Sequence, residues 1–268
     1  MKDKMTGYKI LKAILSPIYK FWYNPKIKGS ENIPGKGPII LAGNHIHIMD
    51  QCNMIISTKR PIHYMAKKEY FDKKYKEGKF KWFFETVGCI PVDRTTKDEN
   101  AKSKAIQVLK ESKALGIFPE GTRNSLKEKK INNLYNKYFK DKMTIKEFSK
   151  KIKKNKLSLI NYLEELKDNN KIPKEEFINN IFDIDNYLKD KEEYIDNYLL
   201  PLKFGTVSMA SKTNALIVPY AITGTYKFRS KDLTINIGKP FKVDEDLEKS
   251  NKKLDKEIKK LVKENLKK

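Results

Sequence analysis

The 268-residue sequence predicts an α/β protein with a central, mostly parallel sheet flanked by helices. Two observations predict this fold class. Short apolar runs recur along the chain, and each of them ends at a group of polar or charged residues. Between these runs lie segments whose apolar residues recur at helical spacing, as in the crossover helices that connect parallel strands.

The first apolar run, residues 38–42, follows a Gly-Pro pair and is too short for an independent helix, so it predicts a buried strand. Two of the chain's three histidines, His45 and His47, come directly after it, and Asp50 follows closely. Reacting groups collect beyond the carboxyl ends of such strands. We therefore expect the chemistry of the protein at this point.

His45 and Asp50 have the residue types and the spacing of a general base and its partner. An imidazole accepts a proton near neutral pH, and a carboxylate on its other nitrogen fixes the tautomer. The chain has no Gly-x-Ser-x-Gly pattern, and neither Cys52 nor Cys89 has an activating partner in sequence. This favours group transfer to a hydroxyl of the substrate, although such a pair alone also fits a structural role or part of a metal site.

Further apolar runs end in the same way. Residues 61–66 lead into Lys67 and Lys68, residues 88–92 into Asp93-Arg94, and residues 115–118 into Pro119-Glu120-Gly121-Thr122-Arg123. The guanidinium groups of Arg94 and Arg123 are suited to phosphate, with Lys67 or Lys68 as an additional charge. Each arginine alone is also explained by a surface ion pair. We interpret His63, which lies within an apolar run, as a core histidine rather than a catalyst.

Residues 5–23 combine apolar and aromatic side chains with three lysines on one side of a helical wheel. The lysines argue against a transmembrane helix and favour an interfacial one. Because Ser16 is a good N-cap and Pro17 a good first residue, we predict two short amphipathic helices. The alternative to membrane binding is that this face packs on the protein's own core.

The remaining chain predicts alternating helices and strands. Helices are expected at residues 51–58, 98–113, 205–212 and 243–268, and strands at residues 215–223 and 233–237.

Four motifs occur in a fixed order: Asn44-His45-x4-Asp50, Gly88-x-Ile90-Pro91-Val92-Asp93-Arg94, Phe118-Pro119-Glu120-Gly121-Thr122-Arg123 and Ile217-Val218-Pro219-Tyr220-Ala221-Ile222. Together with Gly29-Ser30-Glu31-Asn32-Ile33-Pro34 and Lys203-Phe204-Gly205, they resemble the glycerolipid acyltransferase family. Its best known members are the 1-acyl-sn-glycerol-3-phosphate acyltransferases. The resemblance covers residues 25–123 and 200–240.

The resemblance implies roles for individual residues. His45 is the expected general base and Asp50 its partner. Arg94, Glu120, Gly121 and Arg123 are expected to place the glycerol phosphate. Thr122, and Lys67 as the additional charge noted above, complete the expected substrate-binding set. Val218 and Pro219 are associated with the acyl-donor side. His47 stands where the family commonly has serine, so it is either a spare base or a hydrogen-bonding substitute.

The reaction implied by the resemblance moves an acyl group from acyl-CoA or acyl-ACP to the free hydroxyl of 1-acyl-sn-glycerol 3-phosphate, giving phosphatidic acid. We expect no metal, and no cofactor besides the thioester co-substrate. Alternative acceptors are glycerol 3-phosphate, another lysophospholipid or a lyso-ornithine lipid. A different class is an inactive, basic membrane-binding or nucleic-acid-binding module. The chain has no zinc-finger spacing and no aromatic RNA-binding motif, so we expect no nucleic-acid partner.

The net charge of +23 attracts anionic lipid surfaces, nucleic acids and acidic proteins alike. An AT-rich genome, which favours Lys, Asn, Ile and Tyr at exposed positions, is a competing explanation for it. Two cysteines provide no disulfide framework, which favours a reducing compartment. We therefore expect a peripheral or monotopic protein at the cytoplasmic face of the cell membrane, with anionic lipids as partners.

The predicted domains are residues 1–24 as membrane-associating helices, residues 25–126 with 200–268 as the acyltransferase α/β domain, and residues 127–199 as a helical insertion. The resemblance implies that most relatives have a short loop in place of this insertion. Helix starts are expected at Thr144, at Ser158 and at the Ile172-Pro173 step. Residues 127–156 contain twelve lysines and three acidic residues, whereas residues 157–200 contain five lysines and eleven acidic residues. Either the two halves attract each other, or the basic half receives anionic lipid or an acidic acyl carrier protein.

Overall fold

The computed structural model describes residues 5–72, 79–93, 95–96, 98–152, 156–188 and 198–267. The chain divides into two compact units. The first unit consists of Met1–Asn44, Ile48–Gly121 and Leu202–Lys268, and the second of His45–His47 and Thr122–Pro201.

The first unit contains a seven-stranded sheet within the described part of the chain. Its strands are β1 (Lys26–Lys28), β2 (Ile39–Gly43), β3 (Ile62–Lys67), β4 (Ile90–Val92), β5 (Ala114–Ile117), β6 (Leu216–Thr223) and β7 (Thr234–Ile237). The order across the sheet is β1-β7-β6-β2-β5-β3-β4, and every neighbouring pair is parallel except β6 and β7. The predicted α/β fold with a mostly parallel sheet is therefore confirmed.

Strand β2 lies at the centre of the sheet and is buried along its whole length. It pairs with β5 on one side, with Ala42 opposite Ile117, and with β6 on the other, with Ala42 opposite Pro219. A strand with neighbours on both edges and helices on both faces has no solvent side, which explains why its sequence is apolar without alternation.

The described helices are α1 (Thr6–Tyr23), α2 (Asp50–Ser57), α3 (Lys79–Thr86), α4 (Glu99–Lys110), α5 (Glu128–Leu134), α6 (Ile145–Lys151), α7 (Leu157–Asp168), α8 (Lys174–Asn180), α9 (Ile184–Leu188), α10 (Gly205–Thr213) and α11 (Leu247–Leu266). Helix α4 is the expected crossover between β4 and β5. The Asp98 carboxylate caps it by accepting a hydrogen bond of 2.9 Å from the Ala101 N–H. Its buried face consists of Ala101, Ala105 and Leu109.

The prediction of two short helices before residue 24 is wrong, because α1 is a single helix with Pro17 inside it. Tyr8 and Tyr19 are buried on either side of Pro17, so packing holds both halves on one axis. Ala13, whose carbonyl loses its partner at Pro17, is exposed and accessible to water, which lowers the cost of the missing hydrogen bond. None of the helices that the structure describes is long and apolar enough to cross a membrane.

The second unit contains α5 to α9 and a π-helical stretch, Tyr135–Phe139, in the segment where a helical insertion is predicted. Its core is aromatic: Phe139 and Phe148 are fully buried, with ring centroids 4.8 Å apart. The predicted helix start at Thr144 is present as a capping box with Glu147. The exact domain boundaries stay a prediction.

The helix predicted to start at Ser158 is present as α7, which begins one residue earlier, at Leu157. A side chain from elsewhere in the second unit caps this helix. The Asn124 carboxamide oxygen accepts a hydrogen bond of 3.1 Å from the Ser158 N–H, and its nitrogen donates one of 2.8 Å to the Ser158 hydroxyl. The cap is therefore supplied from 34 residues away, which a local pattern does not show.

Two ion pairs join the oppositely charged halves of the insertion. Lys130 pairs with Glu164, and buried Lys156 pairs with Asp185 at 2.9 Å. These contacts agree with the hypothesis that the two halves attract each other. A role of the basic half towards lipid or an acyl carrier protein stays a prediction.

Candidate active site

The candidate site lies at the edge of the sheet where the parallel strands β2 to β6 end. In a parallel sheet the carboxyl ends of neighbouring strands meet at one edge. The residues that follow β2 and β5 therefore emerge next to each other in the first unit, Asn44 after β2 and Pro119-Glu120-Gly121 after β5.

Asn44 fixes the point at which the chain leaves β2. Its side chain is buried and bonds to the backbone of Ile222 in β6 in both directions. The carboxamide nitrogen donates 2.8 Å to the Ile222 carbonyl, and the Ile222 N–H donates 2.7 Å to the carboxamide oxygen. The side chain thus replaces one step of the β ladder, so the backbone can turn away directly before His45. Asn44 has no role predicted from the sequence beyond its place in the motif.

His45 belongs to the second unit and is half-buried. Its carbonyl accepts a hydrogen bond of 2.6 Å from the Asn124 N–H. Asn124 is buried, and its side chain also donates 2.8 Å to the Tyr198 carbonyl. Positions 45 and 123 are therefore held close together at the backbone, while Thr122 and Arg123 present exposed side chains.

Asp50 is fully buried at the first turn of α2. The Tyr226 hydroxyl donates a hydrogen bond of 2.5 Å to one Asp50 carboxylate oxygen. The N-terminal end of a helix also favours a negative charge at this position. The predicted pairing of Asp50 with His45 stays a prediction.

The turn after β5 combines a buried carboxylate with a glycine. The Glu120 side chain is buried, and the Gly121 N–H donates 2.9 Å to the Phe118 carbonyl with Gly121 at a φ of 70°. Lys203 is fastened to the same turn, because its N–H donates 2.9 Å to the Pro119 carbonyl. A Cβ at position 121 would lie 2.7 Å from the Lys203 Nζ, so the lysine crosses the turn where the glycine leaves room.

Comparison with known proteins identifies the family. The Acyltransferase family model matches residues 24–223, which is more than half of the chain. The chain belongs to the Acyltransferase family. The family predicted from the four motifs is therefore confirmed.

Two curated relatives of this family member carry the same name. The 1-acyl-sn-glycerol-3-phosphate acyltransferase of Bacillus subtilis is 32% identical over 119 residues, which are 44% of this chain and 58% of that protein. That of Borreliella burgdorferi is 37% identical over 100 residues, 37% of this chain and 38% of that protein. The chain thus matches less than two thirds of the length of either relative.

A solved structure shares the fold of this family member. The crystal structure of the 1-acyl-sn-glycerophosphate (LPA) acyltransferase PlsC from Thermotoga maritima matches with a TM-score of 0.56 and 19% identity. The match covers 100% of this chain and 85% of that chain. At this identity the similarity concerns the fold alone.

The remaining predicted site residues do not all lie at the turns described above. Lys67 ends β3, half-exposed, and pairs with Glu69 at 3.3 Å. Arg94 lies outside the described residues. Val218 and Pro219 are buried within β6, opposite Leu41 and Ala42 of β2, so they belong to the interior of the sheet. Their association with the acyl donor stays a prediction.

The remaining candidate nucleophiles and bases are poorly suited to catalysis. Burial raises the pKa of Cys52 to about 11 and the pKa of Cys89 to about 12, so both thiols are protonated near neutral pH. His63 is buried in β3 with Nδ1 2.8 Å from the Gly88 carbonyl, and burial lowers its pKa. Within the described residues, no group of three or more His, Cys, Asp or Glu side chains is arranged to hold a metal ion.

Proposed function

We propose that the protein transfers a fatty acyl group from an acyl thioester to the free hydroxyl of 1-acyl-sn-glycerol 3-phosphate, giving phosphatidic acid. Family membership and the names of both curated relatives support this activity. The observation that carries the proposal is the double hydrogen bond between Asn44 and Ile222. It ends β2 directly before His45, at the edge where Glu120 and Gly121 follow the neighbouring strand.

In this reaction His45 acts as the general base. The imidazole takes the proton of the acceptor hydroxyl while the hydroxyl oxygen attacks the thioester carbonyl carbon. The carbon–oxygen bond forms, the carbon–sulfur bond breaks, and the proton passes to the leaving thiolate. General-base catalysis of this kind contributes about 10² to 10⁴ in rate. Asp50 is the proposed partner that orients the imidazole and stabilises its protonated form.

The phosphate of the acceptor is proposed to bind at the turn after β5 and the residues that follow it. Arg123 offers a planar guanidinium that can donate two hydrogen bonds to phosphate oxygens. We add Lys203 to the predicted set of Lys67, Arg94 and Arg123, since its ammonium group lies over Gly121. Glu120, Gly121 and Thr122 are proposed to shape this turn around the glycerol phosphate.

The membrane surface is the proposed location of the reaction, because the acceptor and the product are lipids. Helix α1 supports peripheral binding with an exposed apolar stripe, in which each side chain is more than half exposed: Ile10, Ile14, Ile18, Phe21 and Trp22. The net charge of +23 favours anionic lipids. We propose that the reaction occurs at the cytoplasmic face of the membrane and that the donor is acyl-CoA or acyl-ACP.

An acceptor panel tests the proposed function. The purified 268-residue chain is incubated with labelled acyl-CoA or acyl-ACP and with lysophosphatidate, glycerol 3-phosphate or a lysophospholipid without a terminal phosphate. We expect labelled phosphatidate to form fastest from lysophosphatidate. Faster transfer to another acceptor would assign a different substrate, and lipid binding without any transfer would indicate an inactive binding module.

A further inference from the structure

A chain of hydrogen bonds leads from helix α1 to the Asp50 carboxylate. The Tyr19 hydroxyl donates 2.9 Å to the Asn53 side-chain oxygen, and the Asn53 side-chain nitrogen donates 2.5 Å to the Tyr226 hydroxyl. The Tyr226 hydroxyl in turn donates 2.5 Å to Asp50. In these three bonds each donor points towards the carboxylate, so each hydrogen bond polarises the next. The Tyr19 hydroxyl also lies 3.4 Å from the Met49 carbonyl oxygen, a longer contact than its bond to Asn53.

The chain of hydrogen bonds is shielded from water. Asp50 and Asn53 are fully buried, and Tyr19 is buried as well. Burial raises the pKa of Tyr226 well above its ordinary value, so its hydroxyl remains a donor throughout the physiological range. A buried carboxylate needs hydrogen-bond donors, since the free energy of burying it without partners is strongly unfavourable.

Three separate parts of the first unit supply these residues. Asp50 and Asn53 lie three residues apart on one face of α2, Tyr19 comes from α1, and Tyr226 follows β6. Ring contacts hold Tyr226 from the side of α1: its ring centroid is 5.6 Å from that of Tyr23, which lies 4.9 Å from Tyr19. Helix α1 therefore contacts the Tyr226 ring directly and reaches its hydroxyl through Asn53.

We infer that Tyr226 is a positioning residue for Asp50, and that Tyr19 and Asn53 extend this function to the helix that carries the exposed apolar stripe. The inference rests on the proposed function. Without the Tyr226 hydroxyl, Asp50 loses one donor to its carboxylate, so the carboxylate is held less firmly in the orientation proposed to face His45. None of these three residues belongs to the proposed acceptor-binding set, so we expect the loss to fall on the rate of the chemical step rather than on affinity.

The test measures kcat and KM for lysophosphatidate in Tyr226→Phe, Tyr19→Phe and the double variant. We expect Tyr226→Phe to lower kcat roughly 10- to 100-fold, the range seen when a hydrogen-bonded partner of a ligand is removed at metal sites, with KM unchanged. Tyr19→Phe should lower kcat less, by a few-fold. Because both hydroxyls act through one chain of hydrogen bonds, the double variant should be no slower than Tyr226→Phe alone.

Tyr23→Phe is the matched control. The Tyr23 hydroxyl forms no hydrogen bond with any residue that the structure describes, while its ring makes the contacts above. This variant should keep the wild-type kcat. Thermal unfolding of each variant measures whether it is folded. If Tyr226→Phe does not fold, the kcat of Tyr19→Phe provides the test.

Two results would overturn the inference while leaving the proposed function intact. One is an active wild type with an unchanged kcat in folded Tyr226→Phe or Tyr19→Phe. The other is a double variant whose loss is the product of the two single losses, since this shows independent effects. A wild type that transfers no acyl group to any acceptor overturns the proposed function itself, and the inference with it.

Discussion

Gly121 leaves room for the positively charged Lys203 side chain at the turn after β5. Its φ of 70° is accessible to glycine at little cost, and the absence of a Cβ leaves the space that the Lys203 side chain occupies. The Lys203 N–H bond to the Pro119 carbonyl holds the lysine backbone beside the same turn. An ammonium group is thereby placed next to Glu120 and Gly121, although 82 residues of sequence separate position 203 from position 121.

Lys203 and Arg123 should both act on acceptor affinity. We expect Arg123→Ala to raise KM for lysophosphatidate roughly 10- to 100-fold, because a charge-assisted hydrogen bond contributes about 1.5–3 kcal/mol. Lys203→Met should raise KM by a smaller factor, because an ammonium group is a point charge that lacks the bidentate geometry of a guanidinium. Steady-state kinetics on lysophosphatidate micelles would measure both effects.

Lys212→Met is the control for these two variants, since it removes an exposed positive charge from α10. Its KM should match the wild type. If Arg123→Ala instead lowers kcat and leaves KM unchanged, the guanidinium does not hold the acceptor in the ground state.

The residues of the candidate site differ in how far the sequence predicts them. His45, Asp50, Glu120 and Arg123 follow apolar runs directly, so their position after a strand is visible locally. Tyr226 is 176 residues from Asp50 and contacts it only because β6 and β2 are neighbours in the sheet. No local pattern distinguishes this tyrosine from the other thirteen in the chain.

At the scale of elements, the strands were more predictable than the helix ends. A buried strand leaves an uninterrupted apolar run, as residues 38–42 show for β2. Helix boundaries depend on caps, and the cap of α7 comes from the distant Asn124. Pro17 indicated a break in α1, but the burial of Tyr8 and Tyr19 on both sides of it outweighs this local preference.

The exposed stripe of α1 makes a prediction about membrane binding. We expect the double variant Ile14→Glu and Ile18→Glu to lose at least tenfold in affinity for anionic vesicles, because burying one such side chain contributes about 1.5–3 kcal/mol. Both side chains are more than half exposed, so the thermal unfolding temperature should stay close to that of the wild type. Co-flotation with phosphatidylglycerol-containing vesicles measures the binding.

Ile145→Glu provides the control for the vesicle experiment, because Ile145 is an exposed isoleucine on α6, outside the stripe. It should float like the wild type. Unchanged flotation of the α1 variant would contradict membrane binding through this helix.

The charge of the protein, including that of the insertion, bears on its proposed location at an anionic membrane surface. The ion pairs Lys130–Glu164 and Lys156–Asp185 neutralise part of the basic half within the second unit. The chain nevertheless keeps a net charge of +23, which attracts anionic surfaces over distances up to about the 8–10 Å Debye length at physiological salt. The fold class of the protein could be predicted because apolar runs and helical spacing recur along the whole sequence.

The role of His45 as the general base is examined with the variant His45→Ala. Acyl transfer to lysophosphatidate is measured for this variant and the wild type, together with equilibrium binding of lysophosphatidate and thermal unfolding. We expect a folded variant that binds the acceptor like the wild type and has lost turnover by about 10² or more, the lower limit for general-base catalysis. A folded variant that keeps turnover within a few-fold of the wild type would contradict the role of His45 as the general base.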